Sequence, residues 1–509
     1  MIKELVIKTP LGDVKGKFSS YGGMFLGVPY AEKPIGNLQF KAPVKKNSWP
    51  DVLDCTHLPK DPIQHPMNPL TCSEDCLYLN IYIPSSVLTY GALPVMVWLY
   101  GGSYVHGGCS GSFKHGKDGL YDARKLADEG NCIVVTVNYR LGAYGFLYLS
   151  EFSSDFESNL GLKDCEMALR WIKENISSYG GNPDNVTLWG QSAGGALTMA
   201  MMCVESAKDL FHKAIVQSAC MESFYSKEEA KAVATEFLAR LNLTPDQVEL
   251  IKTVDYMKLT RQIDGMDDFV RKTKFGICTI NPVVDGEYLR EFPSLSKFEE
   301  LGKPLLIGSN KDEAHVFARV MKKVDGKECL KRIFPYKSED YRNRVLERHS
   351  SKPKVVDYCD IAGEIMYHIP KIRVAKAMSK QNPVYVYRFD YAPWLFRLMG
   401  YDACHVAEMP LLFDNMHPWF SMPLYFGDSS NASNIGKRMR RYWTNFVWTS
   451  NPNVGVKNEI SDLVEWLPYT EEKRNYMVFN KIDEAQVGID DMLEQIFENE
   501  THFFVPNNQ

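Results

Sequence analysis

A serine between glycines has the clearest chemistry in this sequence. It lies in a pentapeptide that reads Gly190-Gln191-Ser192-Ala193-Gly194. An apolar run precedes the pentapeptide at 185–189, and a helix-prone run follows it at 196–202. A tight turn between a strand and a helix lifts a serine hydroxyl clear of the sheet, and the helix N-terminus then faces negative charge that develops beside it. The pattern predicts a nucleophilic serine at position 192.

A nucleophilic serine requires a histidine that takes its proton and an acid that orients the histidine. When the serine lies on a turn after a strand, the acid and then the histidine follow on loops after later strands. Glu313 comes where the apolar run 305–308 ends, and His405 follows the run 384–389 by one loop. We therefore predict Glu313 as the acid and His405 as the base. The alternatives are Asp312 or Asp285 as the acid, His417 as the base, and Cys404 as a thiol nucleophile.

Acyl transfer also requires hydrogen-bond donors for the negative oxygen of its tetrahedral intermediate. The apolar run 95–100 ends in a glycine-rich loop, whose backbone amides can turn toward the serine. We predict that the amides of Gly102, Ser103 and Ala193 are these donors. The alternative is that the loop only connects a strand to its crossover.

The elements that must position these residues alternate between strand and helix. A strand pair is predicted near 5–8 and 14–17, and a helix at 161–178. Further strands are predicted at 79–83, 95–100, 133–139, 185–189, 214–217, 305–308 and 384–389. An antiparallel start followed by alternating strands and helices predicts an α/β fold with a mostly parallel central sheet.

The 509 residues contain neither an internal repeat nor a linker rich in proline, glycine or serine. We therefore predict a single domain over 1–509. Segments 223–275 and 324–380 are expected to form a helical cover over the sheet edge. They could equally be described as a cap or a regulatory subdomain.

Charge and hydropathy exclude several classes of partner. The chain has 58 basic and 63 acidic residues, so it lacks the concentrated basic field that nucleic acid requires. Its most apolar stretches, 93–100 and 132–137, are far shorter than a membrane span. The charged N-terminal stretch does not have the apolar segment of an export signal. We expect no nucleic-acid partner, no membrane span and a cytoplasmic location.

Twelve cysteines are too few for a disulfide scaffold in a chain of this length, so we interpret them as thiols. A zinc site is the alternative for one cluster, because Cys72 and Cys76 have the spacing of zinc ligands. The remaining candidate ligands are Cys55, His57 and His65. The loop between them is rich in proline, and we favour ordinary thiols with no bound metal.

Several longer segments resemble the type-B carboxylesterase family, the α/β-hydrolases that include cholinesterases and liver carboxylesterases. The matching segments, in family order, include Gly27-Val28-Pro29-Tyr30-Ala31, Ser73-Glu74-Asp75-Cys76-Leu77-Tyr78-Leu79-Asn80, Val137-Asn138-Tyr139-Arg140-Leu141-Gly142, Gly180-Gly181-Asn182-Pro183 and His405-Val406-Ala407-Glu408. The resemblance implies an α/β-hydrolase fold and a serine carboxylesterase that acts on a small-molecule ester without a cofactor. It places the family's triad on Ser192, Glu313 and His405 and its oxyanion amides on Gly102, Ser103 and Ala193.

Departures from the family pattern affect the site and one disulfide. Gln191 stands where the family usually has glutamate, which removes a carboxylate near the predicted imidazolium. Ser103 replaces a common glycine. Secreted relatives join the cysteine that matches Cys76 to one that aligns with Asp61, so the resemblance implies that this disulfide is absent here.

The resemblance also bears on the substrate. Loop 65–71 has no tryptophan of the kind with which cholinesterases hold a quaternary ammonium, so choline esters are not expected. Segment 275–279 offers small residues where cholinesterases place phenylalanines, which predicts room for acyl groups larger than acetyl. Candidate pocket residues are Gln191, Tyr104, Ser218, Tyr225, Cys278, Phe317 and Cys404. Rival functions are a lipase or amidase on the same triad and a non-catalytic interaction protein.

Overall fold

Apolar and alternating runs of the sequence pair into one large mixed sheet. The computed structural model describes residues 3–66, 70–88, 91–111, 119–221, 223–266, 269–270, 278–293, 297–320, 330–331, 334, 337–349, 355–415, 427–455 and 463–489. Within these residues, the main sheet has thirteen strands, and two further short strands pair with each other.

The strands follow the predicted order along the chain. They are β1 Lys3–Thr9, β2 Gly12–Ser19, β3 Gly22–Pro29, β4 Leu53–Asp54, β5 Asp61–Pro62, β6 Cys72–Ser73, β7 Tyr78–Ile83, β8 Leu93–Leu99, β9 Ile133–Val137, β10 Gly181–Gln191, β11 Lys213–Gln217, β12 Leu305–Asn310, β13 Val384–Phe389, β14 Tyr476–Phe479 and β15 Glu484–Gln486. Across the main sheet the order is β1-β2-β3-β7-β9-β8-β10-β11-β12-β13-β14-β15, with β4 beside β2. Neighbours from β9 through β8 to β14 are parallel, whereas β1, β2, β3, β7 and β15 make antiparallel pairs. The predicted α/β class with an antiparallel start is confirmed.

Helices pack against the parallel strands, and every residue of β8, β9, β11 and β12 is buried. Burial along whole strands is typical of a parallel sheet covered on both faces. The helices are α1 Arg124–Gly130, α2 Gly142–Phe146, α3 Leu160–Asn175, α4 Ala193–Cys203, α5 Lys227–Arg240, α6 Tyr256–Gly265, α7 His315–Val320, α8 Glu339–His349, α9 Val355–Gly363, α10 Ile369–Met378, α11 Trp394–Met399, α12 Met409–Phe413 and α13 Ser429–Thr449. A π-helical turn, Glu364–His368, joins α9 to α10. No helix in the described ranges combines the length and the apolar character needed to cross a bilayer.

The two segments predicted as a helical cover contain helices. Helices α5 and α6 lie within 223–275, and α8, α9 and α10 lie within 324–380. Residues 271–275 and 324–329 fall outside the described residues. The predicted helix at 161–178 is α3 followed by a tighter turn at Ile176–Tyr179, and β10 begins four residues before the predicted strand.

A buried ion pair fixes the chain after β9 against α3. Nη2 of Arg140 lies 2.6 Å from Oδ1 of Asp164, and Nε of Arg140 donates to Oδ2 at 2.8 Å. Two residues later, the amide of Gly142 donates to the carbonyl of Tyr104 at 2.8 Å. The pair therefore supports the glycine-rich loop that follows β8.

Candidate active site

The turn between β10 and α4 holds Ser192 in an unusual backbone conformation. Its φ is 58° and its ψ is −126°, a combination that costs of order 1–3 kcal/mol for a residue with a side chain. A Cβ at position 190 would collide with the carbonyl of Gly194, and one at position 194 would collide with that of Leu99. The amide of Ser192 donates to the carbonyl of Gln217 at 2.9 Å, which anchors the turn to β11. Glycine on both sides is therefore a requirement of the turn.

Two strand ends bring the predicted acid and base together. Glu313 follows β12, and His405 follows α11, the helix after β13. Nδ1 of His405 is 2.5 Å from Oε2 of Glu313. The amide of His405 also donates to the backbone carbonyl of Glu313 at 3.2 Å. Both side chains are buried, with exposed fractions of 5% and 0%. This is a short, water-excluded contact between a carboxylate and an imidazole.

Several groups keep the Glu313 carboxyl ionised despite its burial. Burial alone would raise its pKa, but the proximity of His405 and hydrogen bonds from His405 and the amide of Asn310 outweigh it and lower the pKa. The Asn310 amide donates to Oε1 at 2.7 Å. The hydroxyl of Ser218 contributes to the lower pKa as well, yet its Oγ has no hydrogen bond of standard geometry. We therefore regard Ser218 as a weak electrostatic neighbour of Glu313.

The other imidazole nitrogen of His405 faces the residue before the serine. Nε2 of His405 lies 3.2 Å from Nε2 of Gln191. With the Gln191 amide nitrogen facing it as a donor, Nε2 acts as the acceptor in the tautomer that carries its proton on Nδ1, toward Glu313. The tautomer is the one that a base for Ser192 needs.

The glycine-rich loop after β8 lies directly against the serine turn. A Cβ on Gly101 would be 2.8 Å from Cβ of Ser192. The loop turns through positive φ at Gly102 and Ser103, with values of 122° and 54°. In the described part of the chain, the amides of Gly102, Ser103 and Ala193 donate to no protein acceptor. Three uncommitted donors therefore lie on the two segments that flank Ser192.

Two of the candidate pocket residues contact His405. Gln191 and Phe317 contact it, the latter with ring centroids 5.5 Å apart. Tyr104 and Tyr225 bind other segments: Tyr104 donates to the carbonyl of Ser223 at 3.4 Å, and Tyr225 donates to the carbonyl of Cys278 at 2.7 Å.

The remaining candidate, Cys404, precedes the base in the chain. Its carbonyl accepts from Nδ2 of Asn310 at 2.6 Å. Burial, followed by the charges of Glu313 and Glu408, raises the pKa of the Cys404 thiol. A thiolate is the nucleophilic form of cysteine, so this environment disfavours Cys404 as the attacking group.

Two residues at the site were missed by the sequence reasoning. The ring of Tyr367, in the π-helical turn, lies 5.0 Å from the imidazole of His405. Glu408 is fully buried and accepts hydrogen bonds from Asn310 at 2.6 Å and Gln217 at 3.1 Å. Burial and then the charge of Glu313 raise the pKa of Glu408 to about 7. Glu408 stands in the segment that matched the family at His405, which was the available signal, whereas no local pattern indicated Tyr367.

The alternative acids contact other groups than His405, and the alternative base falls outside the described residues. Oδ2 of Asp312 accepts the amide of Ala403 at 3.0 Å. Oδ1 of Asp285 accepts the amides of 287–289 within its own turn. His417 lies outside the described residues. Only Glu313 among the three acids contacts His405.

The zinc alternative has no matching geometry. Nδ1 of His57 lies 3.0 Å from the hydroxyl of Thr56, and Nδ1 of His65 lies 2.5 Å from Oδ2 of Asp264. Across the described ranges, no three histidine, cysteine or acidic side chains are placed to hold one metal ion.

Comparison with known proteins gives consistent relatives. The profile of the carboxylesterase family matches residues 3–503. The chain is 33% identical over 493 residues to the para-nitrobenzyl esterase of Bacillus subtilis (strain 168), covering 93% of this chain and 94% of that protein. It is 29% identical to a liver carboxylesterase of Sus scrofa, covering 88% and 86% of the two chains. A solved PNB esterase structure superimposes with a TM-score of 0.84 at 32% identity, covering 97% of this chain and all of that one.

Proposed function

The chain belongs to the carboxylesterase family, and on that premise we propose how it hydrolyses carboxylic esters to an acid and an alcohol. The reaction passes through an acyl-enzyme on Ser192, with Glu313 as the acid and His405 as the base. The observation that carries this proposal is the 2.5 Å contact between Nδ1 of His405 and Oε2 of Glu313, beside the serine turn. A small-molecule ester is the partner, and the steps require no cofactor.

Acylation begins when His405 removes the proton of the Ser192 hydroxyl as the oxygen attacks the ester carbonyl. Glu313 holds the imidazole in the tautomer that leaves Nε2 as the acceptor, and it stabilises the imidazolium that forms. The Gln191 amide must leave Nε2 at this point, because one lone pair cannot accept from both partners. The alcohol then departs with the proton carried by His405.

The negative oxygen of the tetrahedral intermediate is stabilised by the amides of Gly102, Ser103 and Ala193. Their lack of a protein acceptor in the described part of the chain supports this role, since preorganised donors need no rearrangement when charge develops. Water then repeats the attack on the acyl-enzyme, with His405 again as base, and releases the acid.

Replacement of the nucleophile tests the assignment. Ser192→Ala should abolish turnover of p-nitrophenyl butyrate and covalent labelling by a fluorophosphonate, because both need the serine oxygen. Ser206→Ala, which removes an exposed hydroxyl, is the matched control and should keep both signals. Labelling that persists in Ser192→Ala would place the nucleophile elsewhere.

We further propose that the pocket accepts acyl groups larger than acetyl. Cys278 and Thr279 are small and partly exposed, which supports this, and residues 275–277 lie outside the described residues. p-Nitrophenyl hexanoate should be hydrolysed with a kcat/KM at least equal to that of the acetate. Cys278→Phe should lower the value for hexanoate and spare acetate, and a strict preference of the unmodified protein for acetate would contradict the proposal.

A single domain over 1–509 and a cytoplasmic location complete the proposal. Ten of the cysteines in the described ranges carry thiols, which a reducing compartment preserves. The family resemblance aligns Asp61 with a cysteine of secreted members, which supports the absence of that disulfide here. Fractionation of the native cells with an antibody to the chain tests the location.

A further inference from the structure

One hydroxyl contacts two cysteine sulfurs near the proposed base. Oγ of Ser223 lies 2.8 Å from Sγ of Cys220 and 3.8 Å from Sγ of Cys278. The two cysteines are 58 residues apart in sequence, so tertiary packing brings their thiols to the same side chain.

Hydrogen bonds hold the backbone carbonyls of both cysteines. The amide of Ser223 donates to the carbonyl of Cys220 at 3.2 Å, which closes a turn after β11. The hydroxyl of Tyr225 donates to the carbonyl of Cys278 at 2.7 Å, and the amide of Tyr225 donates to the carbonyl of Pro282 at 2.9 Å. Tyr225 thus ties the segment that follows Cys220 to the segment that carries Cys278 and Pro282.

The ring of Tyr367 connects Cys220 to His405. Cys220 packs with Met366 and Tyr367 in a small apolar cluster, and the ring of Tyr367 is 5.0 Å from the imidazole. Cys220 is 7% exposed, whereas Cys278 is partly exposed. A reagent from solvent therefore reaches Cys278 first, and Cys220 is less accessible to it.

We propose that Cys220 and Cys278 are an oxidisable thiol pair that closes to a disulfide under hydrogen peroxide. The Cys278 sulfur attacks peroxide, becomes a sulfenic acid and releases one water. The Cys220 sulfur then displaces the hydroxyl of that sulfenic acid, the S–S bond forms and a second water leaves with the Cys220 proton. Two thiols and one peroxide thus give one disulfide and two waters, and the Ser223 hydroxyl moves from between the sulfurs.

Most of the other described thiols are poor competitors for peroxide. Reactivity with peroxide follows the thiolate fraction and access. Burial raises the pKa of Cys55 and of Cys132 to about 12, and it raises the pKa of Cys404 as well. Cys203, on α4, is also partly exposed and provides a matched control.

The disulfide should slow ester hydrolysis, and this consequence rests on the proposed function. A sulfur–sulfur bond of about 2.05 Å pulls the segment after β11 toward the segment that carries Cys278. Tyr367 packs on Cys220 and on His405, so the shift displaces the base. Displacement of a catalytic group by about 1 Å can cost up to 10²-fold in rate, and we expect a loss of about tenfold.

The test measures formation of the disulfide and the rate of ester hydrolysis separately. The full chain is treated with a few equivalents of hydrogen peroxide, alkylated with iodoacetamide and digested without reduction. Mass spectrometry should find a peptide pair linked through Cys220 and Cys278, and dithiothreitol should restore both thiols and ester turnover. Recovery of both cysteines in the alkylated form after treatment would overturn the proposal.

Variants separate the pair from general oxidation, each compared with its own untreated sample. Cys220→Ser should lose the linked peptide and the reversible inactivation, whereas Cys203→Ser should retain both. Equal, reversible inactivation of Cys220→Ser and the unmodified protein would also overturn the proposal. If the untreated chain hydrolysed no ester, the proposed function would be wrong. Detection of the linked peptide would still test whether Cys220 and Cys278 form a disulfide.

Discussion

Nδ2 of Asn310 donates a hydrogen bond of 2.6 Å to Oε2 of Glu408. The backbone amide of the same asparagine donates to Glu313 at 2.7 Å. One residue at the end of β12 therefore binds both buried carboxyls that lie next to His405. The two respond in opposite directions: the pKa of Glu313 is lowered, whereas burial and the charge of Glu313 raise the pKa of Glu408 to about 7. One charge is thereby favoured on Glu313 and a proton on Glu408.

Glu408 should make the stability of the protein depend on pH. A carboxyl whose pKa is raised on folding contributes stability below its unfolded pKa, and this contribution is lost as pH rises through the folded value. The free energy of unfolding should fall by up to about 3 kcal/mol between about pH 4.5 and pH 7 on this account. Urea unfolding of Glu408→Gln should lack this slope, since the amide does not titrate.

The exposed residue Glu287 supplies the control for that measurement. Glu287→Gln should keep the pH dependence of the unmodified protein. An identical slope in Glu408→Gln would show that other groups cause it.

Glu313→Gln should retain the fold and lose kcat. The amide of glutamine would donate to Nδ1 of His405 and move the imidazole proton to Nε2, where it blocks acceptance from Ser192. A comparable change in a serine hydrolase triad lowers kcat by about 10⁴-fold, and we expect a loss of about 10³-fold or more. Steady-state kinetics on p-nitrophenyl butyrate, with thermal unfolding to verify the fold, provide the measurement.

Asp312→Asn discriminates between the two neighbouring acids. Its carboxylate accepts the amide of Ala403 and does not contact His405. This variant should therefore keep most of kcat. If Asp312→Asn were the inactive variant and Glu313→Gln the active one, the acid would be Asp312.

Local pattern was enough to select Ser192, Glu313 and His405 as candidates, and the structure brings Nδ1 of His405 to 2.5 Å from Oε2 of Glu313. Ser192 and Glu313 closely follow the ends of β10 and β12, and His405 follows β13 after the helix α11. The apolar run of each of these strands is visible in the sequence, and parallel strands bring such ends to one edge of the sheet. Strand limits were less certain, because β10 starts at Gly181 in a stretch with little apolar character. Pairing of Gly181 with Leu93 of β8 extends β10 to this residue.

Tyr367 and Cys220 could not be found in the same way. Tyr367 reaches His405 from a π-helical turn, and its position depends on how the helices around 355–378 pack. The approach of Cys220 to Cys278 depends on two loops meeting at Ser223. Periodicity along a chain carries no information about contacts of this kind, which are set by tertiary packing.

Gln191→Glu should move the pH profile of catalysis. The amide of Gln191 lies 3.2 Å from Nε2 of His405, so a carboxylate at this position would stabilise the imidazolium. The acidic limb of the pH profile of kcat/KM should move to higher pH, because the added carboxylate favours the charged form of the base. Gln191→Met, similar in length and uncharged, is the control and should leave the limb in place. A limb that stays fixed in Gln191→Glu would mean that the added charge is screened from His405.

His315 should act as a pH-dependent clasp between the cover and the loop that carries the base. Its Nε2 lies 2.9 Å from Oδ1 of Asp360 on α9, and its Nδ1 lies 3.0 Å from Oδ2 of Asp402. The hydrogen bond to Asp360 raises the pKa of His315 against the effect of burial, with further support from the charges of Asp360 and Asp312 and from Asp402. The clasp should therefore stabilise the fold fully below about pH 6.5 and lose its effect as pH rises through the raised value.

Thermal unfolding of His315→Asn at pH 6 and at pH 9 measures this contribution. The melting temperature should fall by several degrees at pH 6, since about 1 kcal/mol corresponds to about 2–4 °C in a large domain, and by less at pH 9. Asp360→Asn removes one carboxylate and keeps the imidazole, so it should lower the pH at which the stabilisation disappears. A loss for His315→Asn that is equal at both pH values would show that His315 acts through packing and not through its charge.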